Sequence, residues 1–200
     1  MKIIVIGATG TIGTAVAAAL AKRHTVVRVG NRKGDYQVNL ASPDSIKKLF
    51  NAVAPFDAVV CAAGLAKFGP LIELTDEDFE LSFSNKLMGQ INVVRLGLPQ
   101  ISKGGSFTLT SGILSLEPMP GSAAISPVNA GIEGFVRAAA LELPRGVRVN
   151  AVSPPWVKET LVALGMDPAP GMPAAAVAKA YAESVEGAKN GAVIDARAFA

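Results

Sequence analysis

The chain has 200 residues, half of them hydrophobic and 18% charged, a balance that excludes disorder and predicts one folded domain over 1–200. Its net charge of +3 comes from dispersed basic residues, not from a broad stripe with interleaved aromatics, so no nucleic-acid surface is expected. A lone cysteine, Cys61, leaves no intrachain disulfide, and no apolar run reaches the ~18 residues of a membrane span. With no signal-type segment in "MKIIVIGATG", a cytoplasmic protein with no membrane partner is the expectation.

The elements alternate along the chain. "KIIVIG" is a continuous apolar run ending in glycine, the pattern of a strand buried on both faces. "TIGTAVAAALAKRH" predicts a helix with Lys22 and Arg23 in its last turn, favourable to the dipole. "TVVRVG" predicts a second strand. Ser42 before Pro43 predicts a capped helix start, and "DAVVCAAG" another buried strand. Thr75 before "DEDF" opens a helical pattern that runs to about Ile101. "GGSFTLTS" is a strand, "PVNAGIEGFVRAAALEL" a helix stopped by Pro144 and Gly146, and "GVRVNAVSPP" a strand. "DPAPGMP" is a loop, "AAAVAKAYAESV" a helix and "GAVIDA" a last strand. Such βαβ alternation predicts an α/β, Rossmann-like, doubly wound parallel sheet with helices on both faces.

"GATGTIG" sets Gly7, Gly10 and Gly13 between the first strand and the first helix. Gly7 permits the tight turn, Gly10 lets backbone approach a pyrophosphate, and Gly13 lets helix pack on sheet. The helix N-terminus then offers N–H groups and partial positive charge to phosphates. A dinucleotide site is the expectation, with Thr9, Thr11 and Ile12 in the same loop. After the second strand, NAD sites usually carry an acid for the ribose 2′-hydroxyl. This chain offers Asn31 and Arg32 there, and its first acid, Asp35, lies beyond a glycine. Arg32 could fork onto a 2′-phosphate, which favours NADP(H) over NAD(H); the alternative is an arginine that only meets solvent.

With these motifs the chain resembles the short-chain dehydrogenase/reductase superfamily from Lys2 to about Asp195. "VNLASPDSI" is similar to the family's adenine-contacting segment, with Asn39 and Leu40 in place. "CAAG" resembles its Asn-Asn-Ala-Gly, and the resemblance assigns Ala62, Ala63 and Gly64 to the cofactor ribose. In "SNKLMGQINVV" it matches Asn85 to an asparagine that organises a proton relay through water. Ser111, after "GGSFTLT", matches the catalytic serine, with Thr110 beside the cofactor. "RGVRVNAVSPPWVKET" resembles the late cofactor segment and implies contacts from Pro154, Trp156 and Val157.

The family's tyrosine and lysine are missing. Ile125 and Asn129 occupy their positions, as the flanking "AA" and "AGIEGF" fix the register. In the family the tyrosine gives a proton to the carbonyl oxygen, and the lysine lowers its pKa and binds the nicotinamide ribose. Ile125 has no proton to give, and Asn129 has no charge. Lys67, Lys86 and Glu117 remain as substitute acids, whereas Tyr36 and Tyr181 lie on elements away from the expected site. No His/Cys/Asp cluster has metal spacing, and the only histidine, His24, ends the first helix as a surface residue. Two functions stay open: an oxidoreductase on a carbonyl/alcohol pair, using Ser111 and Asn85, or a non-catalytic NADP(H)-binding sensor or interaction protein. The segment from Trp156 to Ala174 is short for a substrate lid. Small residues in the helices at 76–101 and 127–143 further suggest a homodimer or homotetramer.

Overall fold

In the computed structural model, which describes residues 1–200, the six expected strands form and a short exposed seventh, Tyr36–Gln37, joins them in one parallel sheet. They are β1 (Lys2–Ile6), β2 (Thr25–Gly30), β3 (Tyr36–Gln37), β4 (Phe56–Cys61), β5 (Ile101–Thr110), β6 (Arg148–Ser153) and β7 (Val193–Asp195). Their order across the sheet is β3-β2-β1-β4-β5-β6-β7. Chain direction across the sheet therefore reverses between β1 and β4, and a crevice opens beyond their carboxyl ends, where such sheets bind ligands.

Both faces are covered, which is why β1 reads as an unbroken apolar run. Ile4 and Ile6 join one core with Phe50, Val93, Phe107, Ile132 and Val136. Those residues come from β5 and from α2 (Pro43–Val53), α4 (Gly89–Gly97) and α5 (Ile125–Ala139). Ile3 and Val5 join the opposite core with Val16, Val177 and Tyr181 from α1 (Thr11–Leu20) and α7 (Ala174–Glu186). Cys61 is fully buried in the first of these cores.

Local chemistry sets the helix starts. The Ser42 hydroxyl accepts from Ser45 N at 3.2 Å, with Pro43 at the first helical position. Thr75 and Asp78 form a reciprocal capping box at the start of α3 (Asp76–Ser82). The helix ends depart from expectation. Helix α1 stops at Leu20, so Lys22 and Arg23 lie beyond its last turn. The run from Asp76 ends at Gly97, not near Ile101, because Pro99 lacks the N–H that would continue it; Ile101 already opens β5. Between α3 and α4 the same run widens into a π turn, Phe83–Met88.

A short helix that sequence reading did not anticipate, α6 (Lys158–Ala163), lies in the segment after Trp156. Its base is tied by a bridge between Val157 and Met172. Its Glu159 carboxylate also accepts from Ala174 N at 2.9 Å, capping α7. His24 is less exposed than expected: its side chain is 13% accessible and its Nε2 lies 2.9 Å from Glu186 Oε1.

Candidate cofactor and active site

The glycine turn is built by close backbone approach. Gly7 has φ +87°, and a Cβ there would lie 2.6 Å from the Ala62 carbonyl oxygen. A Cβ on Gly13 would fall 1.9 Å from the Gly7 carbonyl oxygen, so α1 can dock on the turn only without one. Gly10 differs: its Cβ would meet nothing closer than 3.5 Å. It forms the N-terminal cap of α1, exposed, next to first-turn N–H groups that have no partner in the helix. Thr9 and Thr11 are exposed beside it. The loop thus has the shape that a pyrophosphate requires.

Two cavities flank this turn at the carboxyl edge of the sheet. One, of about 170 Å³, is lined by Gly7, Asn31, Asn39, Leu40, Ala63, Gly64 and Asn85 among others. Asn39 Oδ1 accepts from Ala41 N at 3.0 Å, which fixes the side chain. The Asp35 carboxylate is spent on the Arg28 backbone N–H at 2.8 Å. Arg32 is exposed near the rim, and its guanidinium has no hydrogen-bond or carboxylate partner. Ala62 lines neither cavity; it supports Gly7 from beneath.

The second cavity, of about 260 Å³, gathers Ile12, Lys86, Thr110, Ser111, Ile125, Asn129, Pro154, Trp156 and Val157. Ser111 follows β5 directly and is buried; its Oγ reaches only the Val152 carbonyl, at 3.4 Å. Asn129 is buried on α5, with Nδ2 3.4 Å from the Gly112 carbonyl and Oδ1 without a donor. Trp156 meets Phe68 edge-on, ring centroids 5.9 Å apart. Phe68 carried no sequence signal, since only the fold brings its loop to Trp156.

Asn85 and Ser111 were expected to act together, and the structure separates them. Asn85 Oδ1 accepts from Leu65 N at 2.8 Å, and the residue lines the smaller cavity. The next residue, Lys86, enters the Ser111 cavity, its Nζ donating to the Ser111 carbonyl at 3.2 Å. Both residues lie in the π turn, where adjacent side chains here enter different cavities. Burial pushes the Lys86 ammonium down to about 8. The other candidate acids are occupied elsewhere. Lys67 pairs with Asp78 at 3.1 Å, and Glu117 with Arg197 at 2.9 Å. Tyr36 is exposed on β3, and Tyr181 is fully buried in the opposite core.

Comparison with known proteins agrees with this geometry. The family model for enoyl-(acyl carrier protein) reductases matches residues 7–190. A hydroxynaphthalene reductase of Aspergillus fumigatus is 34% identical over 138 residues, which span 66% of this chain and half of that enzyme. A versicolorin reductase of Emericella nidulans is 30% identical over 180 residues, 78% of this chain and 68% of that one. The crystal structure of the Listeria innocua protein lin1944 superposes with a TM-score of 0.93 at 42% identity, over 98% of both chains. A small-chain dehydrogenase in complex with NADPH superposes with a TM-score of 0.85 at 25% identity, over 98% of this chain and 95% of the other. No helix is long and apolar enough to cross a membrane. A parallel sheet with a glycine turn at its reversal point, and a family match across almost the whole chain, place the protein in the short-chain dehydrogenase/reductase superfamily of oxidoreductases.

Proposed function

We propose that the protein is an NADP(H)-dependent oxidoreductase acting on a carbonyl/alcohol pair, with an active site that works without the tyrosine and lysine of its relatives. One observation carries this reading. Gly7 lines one cavity and Ile12 the other, at the two ends of one turn, and the neighbours Asn85 and Lys86 likewise line one each, which supports a single extended dinucleotide lying along both. The first-turn amides of α1 would hold its pyrophosphate, Asn39 and Leu40 the adenine side, and Ala63 and Gly64 the ribose. When bound, such a cofactor supplies or accepts hydride.

The remaining duties fall to the chain. Ser111 Oγ, weakly engaged by Val152, is free to orient a carbonyl oxygen. Asn129 Oδ1 is a buried acceptor suited to a ligand hydroxyl. Trp156, held edge-on by Phe68, and Thr160 of α6 line the same cavity. The preference for NADP(H) is supported by an unpaired Arg32 and an Asp35 already bonded to Arg28 N. A similar structure is that of a small-chain dehydrogenase holding NADPH. Titration of NADPH and NADH against wild type and Arg32→Ala tests it. NADPH affinity should fall about tenfold or more, the worth of a charge-assisted bond, while NADH binding stays level. Equal effects on both would remove the preference.

A second reading, a non-catalytic NADP(H) sensor, is favoured by Ile125 alone, which brings no proton to the helix start. Binding without any turnover would select it. In either case a homo-oligomer is the expected state. Pro127, Ala130, Gly134 and Ala138 form an exposed stripe of small residues on α5, ending near Leu141, which is 90% accessible.

A further inference from the structure

We propose that Lys86 is the proton donor of this site, its ammonium entering the Ser111 cavity from the π turn and protonating the carbonyl oxygen of a bound ketone or aldehyde. The inference rests on the oxidoreductase reading above and deepens it.

Among the residues that line the cavity, Lys86 is the only one with an ionisable side chain of the acid or amine kind. Its Nζ uses one hydrogen on the Ser111 carbonyl, and no carboxylate lies within 4.0 Å of it. Two N–H groups are therefore left for a ligand. The stem is held in place. A Cβ on Gly64 would come within 2.9 Å of Lys86 Cγ and 3.1 Å of its Cα, so Gly64 clears the path that the side chain takes. A half-buried ammonium without a counter-charge is costly, and a fold tolerates it where chemistry uses it.

The ionisable group that bears on the ammonium is Cys61, with Tyr181 beyond it acting on Cys61. Burial pushes the Cys61 thiol up to about 12 and raises the Tyr181 phenol as well, so both are neutral at pH 7. Neither competes as donor nor pairs with Lys86. With its pKa drawn towards neutrality, Lys86 is matched to proton transfer near physiological pH.

The step balances. Hydride from a bound reduced nicotinamide, which would be left as the oxidised nicotinamide cation, would bring two electrons to the carbonyl carbon and form a C–H bond. The π pair of the C=O bond moves to oxygen and takes a proton from Nζ. Lys86 is left as a neutral amine and recovers a proton from solvent; in the oxidative direction it accepts the alcohol proton.

The experiment has two readouts on the full-length protein. First, the acetylation rate of each lysine by acetic anhydride is followed by mass spectrometry across pH 6–11, with and without NADPH. Lys86 should titrate near 8, against ~10.4 for exposed lysines, and NADPH should shield it. Second, NADPH binding and oxidation with 9,10-phenanthrenequinone are measured for wild type, Lys86→Met and Lys86→Arg. Turnover should fall about 10²-fold or more in Lys86→Met, the usual worth of a general acid, with much less effect on NADPH affinity. Wild-type reduction should decline as pH rises through about 8, and this limb should move upward in Lys86→Arg. Labelling of Lys86 like a surface lysine, or turnover and pH profile unchanged in Lys86→Met, would overturn the proposal while leaving the oxidoreductase reading intact. NADPH binding with no oxidation by wild type would overturn it in favour of the sensor, and no NADPH binding would overturn the oxidoreductase reading itself.

Discussion

Tyr181 and Thr110 share a buried hydrogen bond of 2.8 Å, and Thr110 Oγ1 donates to the Cys61 carbonyl at 2.6 Å. The tyrosine hydroxyl is thus the donor to Thr110, and its proton is committed to joining α7 to the sheet. The protein owns a tyrosine beneath its active site but uses it as structure. Tyr181→Phe should cost about 1–2 kcal/mol, since Thr110 loses a buried donor. Urea unfolding checks this, and NADPH-dependent turnover should survive. Loss of turnover with an intact fold would point to Tyr181 as the acid in place of Lys86.

The glycine turn separates a packing role from a binding role. Gly13→Ala drives a methyl into the Gly7 carbonyl and should destabilise by about 1–3 kcal/mol or more, as overpacking does. Gly10→Ala meets only an ordinary contact at 3.5 Å, so its fold should hold. Its methyl would crowd the exposed N-terminal cap of α1, where the pyrophosphate is proposed to bind, and NADPH affinity should drop. Paired melting curves and cofactor titrations distinguish the two variants.

Lys86 should show a trade between stability and activity. Its folded pKa lies below its unfolded value, so the unfolded state binds more protons between about pH 8 and 10.5. Stability contributed by this group therefore rises with pH across that window, and below it the burial cost is carried in full. Lys86→Met should be the more stable protein at pH 7, with the advantage shrinking towards pH 10. Denaturant midpoints at the two pH values measure it. A variant less stable at pH 7 would indicate that the lysine serves the fold.

The stripe on α5 leads to a separate expectation. Gly134 has open space where a Cβ would be. Gly134→Arg should leave the monomer folded yet block close approach of a second copy. Sedimentation at micromolar concentration should show wild type as a dimer or tetramer and the variant as a monomer. A monomeric wild type would remove this expectation.

Much of the fold was legible because burial on both faces writes itself into β1 and β4 as nearly continuous apolar runs. The glycine turn was equally clear, since Gly7 and Gly13 answer local backbone demands. The active site was legible only in part. Ser111, Ile125 and Asn129 came from register, and they do meet in one cavity. Asn85 and Lys86 were both named from sequence, but which of the two enters the Ser111 cavity depends on a π turn that leaves no mark in hydrophobic periodicity. Phe68 and α6 escaped notice because a loop contact and a six-residue helix depend on tertiary neighbours, not on local pattern.

A crystal structure with NADPH tests the central claim most directly. The expected result has the pyrophosphate on the first turn of α1 and a 2′-phosphate on Arg32. C4 of the nicotinamide should face the Ser111 cavity, with Lys86 Nζ within hydrogen-bonding reach of the space where a carbonyl oxygen would lie. A nicotinamide turned away from that cavity, or a Lys86 withdrawn from it, would contradict the account.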